Sequence, residues 1–277
     1  MNKFSFPHRF VYEFFYFGNP VPHRKEKSMN KSKSFFDART LTGVGIFAAL
    51  AAVVSFLTSV LKVGFLSIDA GDIVIVIASF IYGPVSGAAV SLISALASFL
   101  YSGTGFWGFF MDFVSSAAFA CVASFIYSRK RDFKSAIIGI GVSVLTTTLI
   151  MIPMNRLITP LFTMKYFGND LQKATEYVVS LIPVLLIPFN FAKALLNGAA
   201  ALVLYKPLVR AMRAAKLIPP SKSDTGAPSA GRRMTVMSIV IGCVAIAAAV
   251  AVLVVISLST EYDFAIGKYS IVPFWEK

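Results

Sequence analysis

Between 236 and 258 the chain carries no charged side chain, and several other stretches come close to that condition. A helix needs about 20 apolar residues to cross the hydrocarbon core of a bilayer. Inside that core the backbone must pair with itself, so such runs fold as helices. Seven candidate runs lie at 41–61, 73–82 (lengthened by 65–72), 85–100, 106–127, 135–158, 177–205 and 236–258. Gly83-Pro84 separates the second from the third. Pro153 is expected to break the fifth near its end, and Pro183 and Pro188 interrupt the sixth. The fold class is therefore an all-α membrane protein.

Composition agrees with this reading. Charged residues make up 14% of the chain and hydrophobic residues 57%, whereas a soluble domain carries roughly 25% charged residues. A soluble enzyme, a disordered chain and a secreted disulfide scaffold are excluded on these grounds. The net charge of +13 would suggest nucleic acid in a soluble protein. In a membrane protein it first reports topology, because Lys and Arg gather on the cytoplasmic side. With the N-terminus inside, segments 1–40, 128–134 and 206–235 hold 19 of the 26 basic residues. The orientation and the helix count support each other, and nucleic acid drops out as a partner.

The regions outside the apolar runs differ in character. Residues 1–40 form a cytoplasmic extension in which Phe4, Phe6, Phe10 and Tyr12 mix with Lys3, Arg9 and Arg24. Such a segment either lies on anionic lipid or is a poorly ordered extension. It does not read as a cleavable signal. A Pro, Gly and Ser-rich linker at 211–235 separates residues 41–210 from the helix at 236–258, and 259–277 forms an extracellular tail. That last helix reads as an anchor or a lipid-facing peripheral helix. Cys121 and Cys243 lie in apolar runs and behave as small hydrophobes. No Walker A, HExxH or GxSxG motif occurs, so the chain is not expected to be an enzyme, and ATP-derived energy would need a partner.

Polar groups inside a membrane are expensive, so each one needs a reason. Asn190, Lys193 and Asn197 share one helix face by spacing, and Asn155 and Arg156 lie in the preceding helix. They either join helices by hydrogen bonds or meet a polar ligand, and three on one stripe favour a ligand or coupling role. Asp69 and Asp72 flank Gly71 at the start of the second run, where a carboxylate can cap a helix or contact a ligand. Asp112 follows Trp107, Phe109 and Phe110, placing a carboxylate beside an aromatic wall that Phe189 extends. Ala48 and Ala52, spaced i, i+4, permit close approach of another helix, within the chain or from a partner.

Several stretches resemble the substrate-binding (S) component of energy-coupling factor (ECF) transporters, most of all the riboflavin-specific type. They are "SIDAGDIVIVIASFIYGPVSGAAVSLISALASFLYSG", "GFFMDFVSSAAFACVASFIYSRKR", "MIPMNRLITPLF" and "LIPVLLIPFNFAKALLNGAAALVLYKPL". The last two carry the riboflavin-type pattern of Asn with Pro and of Pro-Phe-Asn followed by Lys and Asn. The resemblance covers roughly the first 210 residues and implies a six-helix S-component-like bundle, to which 236–258 adds one transmembrane helix. It implies capture of a vitamin from outside a bacterial cell membrane. It also implies a transmembrane coupling protein (EcfT-like) and two ABC-type ATPases as partners, the lipid bilayer as environment and no cofactor, riboflavin being the transported ligand. The resemblance implies ligand contacts in the outer loop before the second helix and in helices four to six, and the candidate ligand residues there are Asp69, Phe109, Phe110, Asp112, Asn155, Phe189, Asn190, Lys193 and Asn197. The coupling residues are Ala48 and Ala52. Three departures stand beside these matches: Asp72-Ile73-Val74 replaces the frequent Asp-Ile-Pro, Ser94-Ala95 replaces a charged or amide residue, and the helix at 236–258 is additional. An S component for another vitamin (thiamine, folate or pantothenate) and a non-transporting membrane scaffold or sensor are the alternatives.

The topology is testable by thiol labelling of intact cells. Arg131→Cys, Gly168→Cys, Thr225→Cys and Ser270→Cys variants should label from outside only at 168 and 270, whereas labelling of 225 with 168 protected reverses the map.

Overall fold

The structure is a computed structural model, and it describes residues 38–63, 66–102, 105–130, 133–214, 228–263 and 268–271. The N-terminal extension up to 37 and the linker centre at 215–227 lie outside the described residues. The helices in chain order are α1 (Ala38–Thr58), α2 (Gly71–Tyr82), α3 (Pro84–Phe99), α4 (Gly105–Lys130), α5 (Phe133–Thr163), α6 (Leu171–Leu181), α7 (Ile187–Ala214) and α8 (Pro228–Ser259). A two-residue hairpin, β1 (Lys62–Val63) with β2 (Leu66–Ser67), joins α1 to α2. A second antiparallel hairpin, β3 (Thr260–Asp263) with β4 (Lys268–Ile271), follows α8.

The seven apolar runs map onto these helices in order, with α6 and α7 forming one continuous span. Among the described residues, five spans are long and apolar enough to cross a bilayer: Thr40–Thr58, Gly105–Lys130, Lys134–Phe167, Leu171–Tyr205 and Ile239–Ser259. The expected six-plus-one count is thus met by length at five, because α2 and α3 have only 12 and 16 residues. Their shortness has a structural reason in α2. That helix packs against α1, α3, α4 and α7, and Val74 through Phe80 are all buried. Burial on every side, more than apolarity itself, places α2 in the interior of the bundle and away from lipid.

Around α2 the helices pack in sequence: α1 on α3, α3 on α4, α4 on α5, and α5 on α6 and α7. The main apolar core joins Val44, Phe47 and Ala51 of α1 to Ile75 and Ile77 of α2. It continues through Phe119 and Ala123 of α4 to Ile140 and Val144 of α5. At one end Phe80 stacks on Tyr127 at 4.6 Å, and the Tyr127 and Tyr205 hydroxyls lie 3.0 Å apart. The opposite end carries β1–β2 and is called here the hairpin end.

Proline acts differently at its several sites. Contrary to expectation, α5 does not break at Pro153 but runs through Pro153 and Pro160 to Thr163. A lost N–H is tolerated where neighbouring helices hold the segment and side chains bond the backbone. Here α5 is held by α4, α6 and α7 packed along it. At Pro183, by contrast, the span opens into a π-turn, Ile182–Leu186, before α7 resumes. The Gly83 turn between α2 and α3 has φ 97° and ψ 174°, a conformation essentially confined to glycine. Gly83→Ala should therefore lower stability by about 1–3 kcal/mol, read as a lower thermal unfolding midpoint of the purified protein in one detergent.

Candidate functional site

The polar residues of the bundle converge at the hairpin end, and Asp72 is their hub. It sits in the first turn of α2 and is 4% exposed. The N-cap position of α2 is Ala70, which makes no side-chain cap bond. Asp69 takes the nearby backbone donor instead, accepting the Gly71 N–H at 2.7 Å and the Ser55 hydroxyl at 2.7 Å. Asp72 turns inward. Its Oδ2 lies 3.6 Å from the Lys193 ammonium and accepts from the Asn197 amide at 3.1 Å. Its Oδ1 accepts from Ser116. Asn197 also donates to the Asp69 carbonyl at 2.7 Å. Five elements, α1, α2, α4, α7 and the segment before α2, are thereby tied around two carboxylates.

A buried ion pair is costly to assemble unless the remaining lone pairs are satisfied. Ser116 and Asn197 do this for Asp72. The pair also explains why Lys193 is tolerated in an apolar helix: its charge is met within the protein rather than by lipid.

Two narrow spaces lie between the helices beside this cluster. One is lined by Asp72, Ser115, Phe119, Thr147, Asn190, Lys193 and Ala194. The other is lined by Thr148, Met151, Ile152, Asn155, Ile182, Leu186, Ile187 and Asn190. Both are tight, with free room for at most about one water molecule. Asn190 belongs to both. Its amide donates to the Leu186 carbonyl at 2.7 Å, and its Oδ1 accepts no hydrogen bond among the described residues. Thr147, lining the larger space, has a buried hydroxyl without a partner. Unsatisfied polar atoms in a buried wall mark a place where a polar guest would be favoured.

The structure gathers some of the expected residues and scatters others. Lys193 and Asn197 join at Asp72, and Asn155 and Asn190 face the same space. Asn155 is already engaged by Met151 and by the Thr159 hydroxyl, which donates to its Oδ1 at 3.0 Å. Asp112 is partly buried and makes no hydrogen bond among the described residues. Phe109 packs on Phe99 and Phe106 at ring distances near 6 Å, away from both spaces. Phe110 is 39% exposed. Phe189 lies in a separate apolar cluster with Leu185, Leu253 and Ile256. Phe119, not that trio, supplies the aromatic surface beside Lys193. Ala48 is 1% exposed and packs inside the core, whereas Ala52 is half-buried. The small residues that α1 turns outward are Gly45 and Ala49.

Sequence reasoning left Asp72 between helix capping and ligand contact, and it did not single out Ser115, Ser116, Thr147, Thr148 and Met151, which surround or line these spaces. A signal for them exists. Thr148, Ile152, Asn155 and Thr159 recur at helical spacing along one face of α5. Asp112, Ser115, Ser116 and Phe119 do the same on α4.

A helical membrane bundle with a buried polar crevice, and no group of three metal-ligating side chains among the described residues, has the build of a solute-binding membrane subunit. The chain belongs to the family described as ECF transporter, substrate-specific component, which it matches over residues 39–209. It is thus a non-enzymatic, substrate-binding component of a transporter. It is 27% identical to the riboflavin transporter RibU of Staphylococcus aureus (strain TCH60) over 193 residues, covering 69% of this chain and 97% of that protein. It is 22% identical to the riboflavin transporter FmnP of Bacillus subtilis (strain 168) over 160 residues, covering 55% of this chain and 83% of the other. A solved structure reported under "Structure and mechanism of the S component of a bacterial ECF transporter" superposes with a TM-score of 0.51 at 27% identity. The superposition covers 62% of this chain and 96% of that one. α8 lies outside the family match.

The ion pair makes its own prediction. Lys193→Met alone strands the Asp72 charge and should cost about 3–5 kcal/mol. Adding Asp72→Asn should recover most of that loss, as read from unfolding midpoints of the single and double variants.

Proposed function

We propose that this S component captures riboflavin from the outside and delivers it for ATP-driven import with a transmembrane coupling protein and two ABC-type ATPases. The observation carrying the vitamin assignment is the likeness to a riboflavin transporter across 97% of that protein's length. In this reading the N-terminus is cytoplasmic and the hairpin end faces outside, in keeping with the 19 basic residues placed inside. The exposed small residues of α1, with half-buried Ala52 at their edge, offer the coupling protein a close approach.

The chemistry of the site suits a flavin. Riboflavin has a flat ring with an apolar edge, a uracil-like edge and a hydroxylated chain. Met151, Ile152, Leu186 and Phe119 supply apolar walls, and Asn190, Lys193, Thr147 and Ser115 supply donors and acceptors. Ligand pockets typically run to about 300–1,000 Å³. Both spaces are closed to less than that, and Asn190 lines both, so holding a flavin here requires the helices around Asn190 to part. Asp112 and Asp69 line the approach to the ion pair in this reading.

One feature favours a second ligand. Asn197 joins the Asp69 carbonyl to the Asp72 carboxylate, and Lys193 is the one cation among the described residues that meets this pair. An excess of carboxylate suits a positively charged vitamin such as thiamine.

Titration of the purified protein by quenching of flavin fluorescence separates the readings. Riboflavin should bind saturably and resist competition by thiamine. Asn190→Ala should weaken binding by about 5- to 150-fold, the equivalent of about 1–3 kcal/mol for an amide lost from a buried polar edge. Parent protein that binds thiamine and ignores riboflavin would replace the vitamin assignment.

A further inference from the structure

The helix that the family match leaves out is built into the bundle. Most of residues 239–258 of α8 face outward, but Gly242, Ala249, Leu253 and Ile256 are buried along one stripe. Their spacing of seven, four and three residues is that of a helix-packing seam. A Cβ on Gly242 would run into the Val203 side chain and approach the Ala199 carbonyl, so α8 lies directly on α7. A helix serving only as an anchor needs no such seam.

At the hairpin end the seam reaches the site. Leu253 and Ile256 share one apolar cluster with Val178 and Leu181 of α6, Leu185 and Leu186 of the π-turn, and Phe189 of α7. Leu66 and Ile68 pack against the same cluster. Leu186 and Ile182 line the smaller space, and Ile68 precedes Asp69, whose carbonyl and carboxylate bond Asn197, Gly71 and Ser55. Both segments hold themselves weakly. A π-turn at a proline departs from the regular helical hydrogen-bond ladder. A hairpin of two-residue strands is marginal without outside packing. Each therefore depends on what covers it.

We propose that α8 is a positioning element of the ligand site, in which Leu253 and Ile256 clamp the π-turn and the 66–69 segment and so set how long the solute stays bound. This rests on the reading that the crevice at Asn190 and Lys193 holds the transported vitamin. The device is internal to the chain and needs no partner.

The test uses the full-length protein in lipid nanodiscs and compares three variants. Leu253→Ala with Ile256→Ala opens the cluster. Leu253→Met with Ile256→Val conserves it. Val252→Ala with Val255→Ala alters only the outward face. In the cluster-opening variant, hydrogen exchange should accelerate roughly tenfold or more at 66–70 and 182–190. Exchange at 111–127 of α4 should stay at the parent rate. Riboflavin should dissociate faster by a similar factor. The conserving and outward-face variants should match the parent in both measurements. Unchanged exchange at 66–70 and 182–190, or equal acceleration through α4, overturns the proposal. If the parent binds no riboflavin, the vitamin assignment fails, and the exchange pattern still decides the role of α8.

Discussion

The contact between Asp72 and Lys193 sets the terms for the rest of the bundle. Two opposite charges buried among apolar helices are tolerable only when they meet and when their other lone pairs and protons are used. Lys193 on α7 therefore requires the start of α2 beside it. Ser116 on α4 and Asn197 one turn further along α7 complete the shell around the carboxylate. Once α2, α4 and α7 are pinned at this point, α2 has no route to the lipid. Its burial on every side and its short length follow from its place at the centre.

The two ends of the bundle divide the work. Away from the hairpin, Phe80, Tyr127 and Tyr205 pack edge to face and tilted, and the tyrosine hydroxyls meet each other. That end is filled by large rings. The hairpin end holds carboxylates, amides and hydroxyls around tight crevices, with the buried Thr147 hydroxyl still lacking a partner. A bundle closed at one end and polar at the other can hold a solute without offering it a continuous path. Its backbone is also least regular at the polar end, where the π-turn and a two-residue hairpin flank the crevice. The apolar cluster behind them, completed by Leu253 and Ile256, is the compensating feature.

Proline shows how context decides what a residue does. Pro153 and Pro160 sit inside a continuous α5 because packing on α4, α6 and α7 holds the helix past each missing donor. Pro183 lies where the span bends out of α-geometry into five residues of π-turn. The same residue type extends one helix and reshapes another, and the difference lies in the surrounding contacts.

The sequence by itself determined that the chain is helical and membrane-spanning, in what order its helices run, and which stripe of α7 carries polar groups. Hydrophobic run length and 3.6-residue spacing are local properties, and Asn190, Lys193 and Asn197 lie seven residues apart at most. The tertiary structure decided what those groups meet. Asp72 reads locally as a helix-capping residue, yet its partners Ser116, Lys193 and Asn197 lie 44 to 125 residues away. Phe109, Phe110 and Phe189 read as one aromatic wall, but the rotation of α4 and α7 about their own axes sends them to three different surroundings. Ala48 reads as a contact for another protein, and the turn of α1 toward α2 makes it core. The final helix reads as free-standing because its sequence is uniformly apolar. Whether such a helix stands in lipid or docks depends on shape complementarity with a neighbour, here Gly242 against Val203, and no local pattern encodes where that neighbour will be.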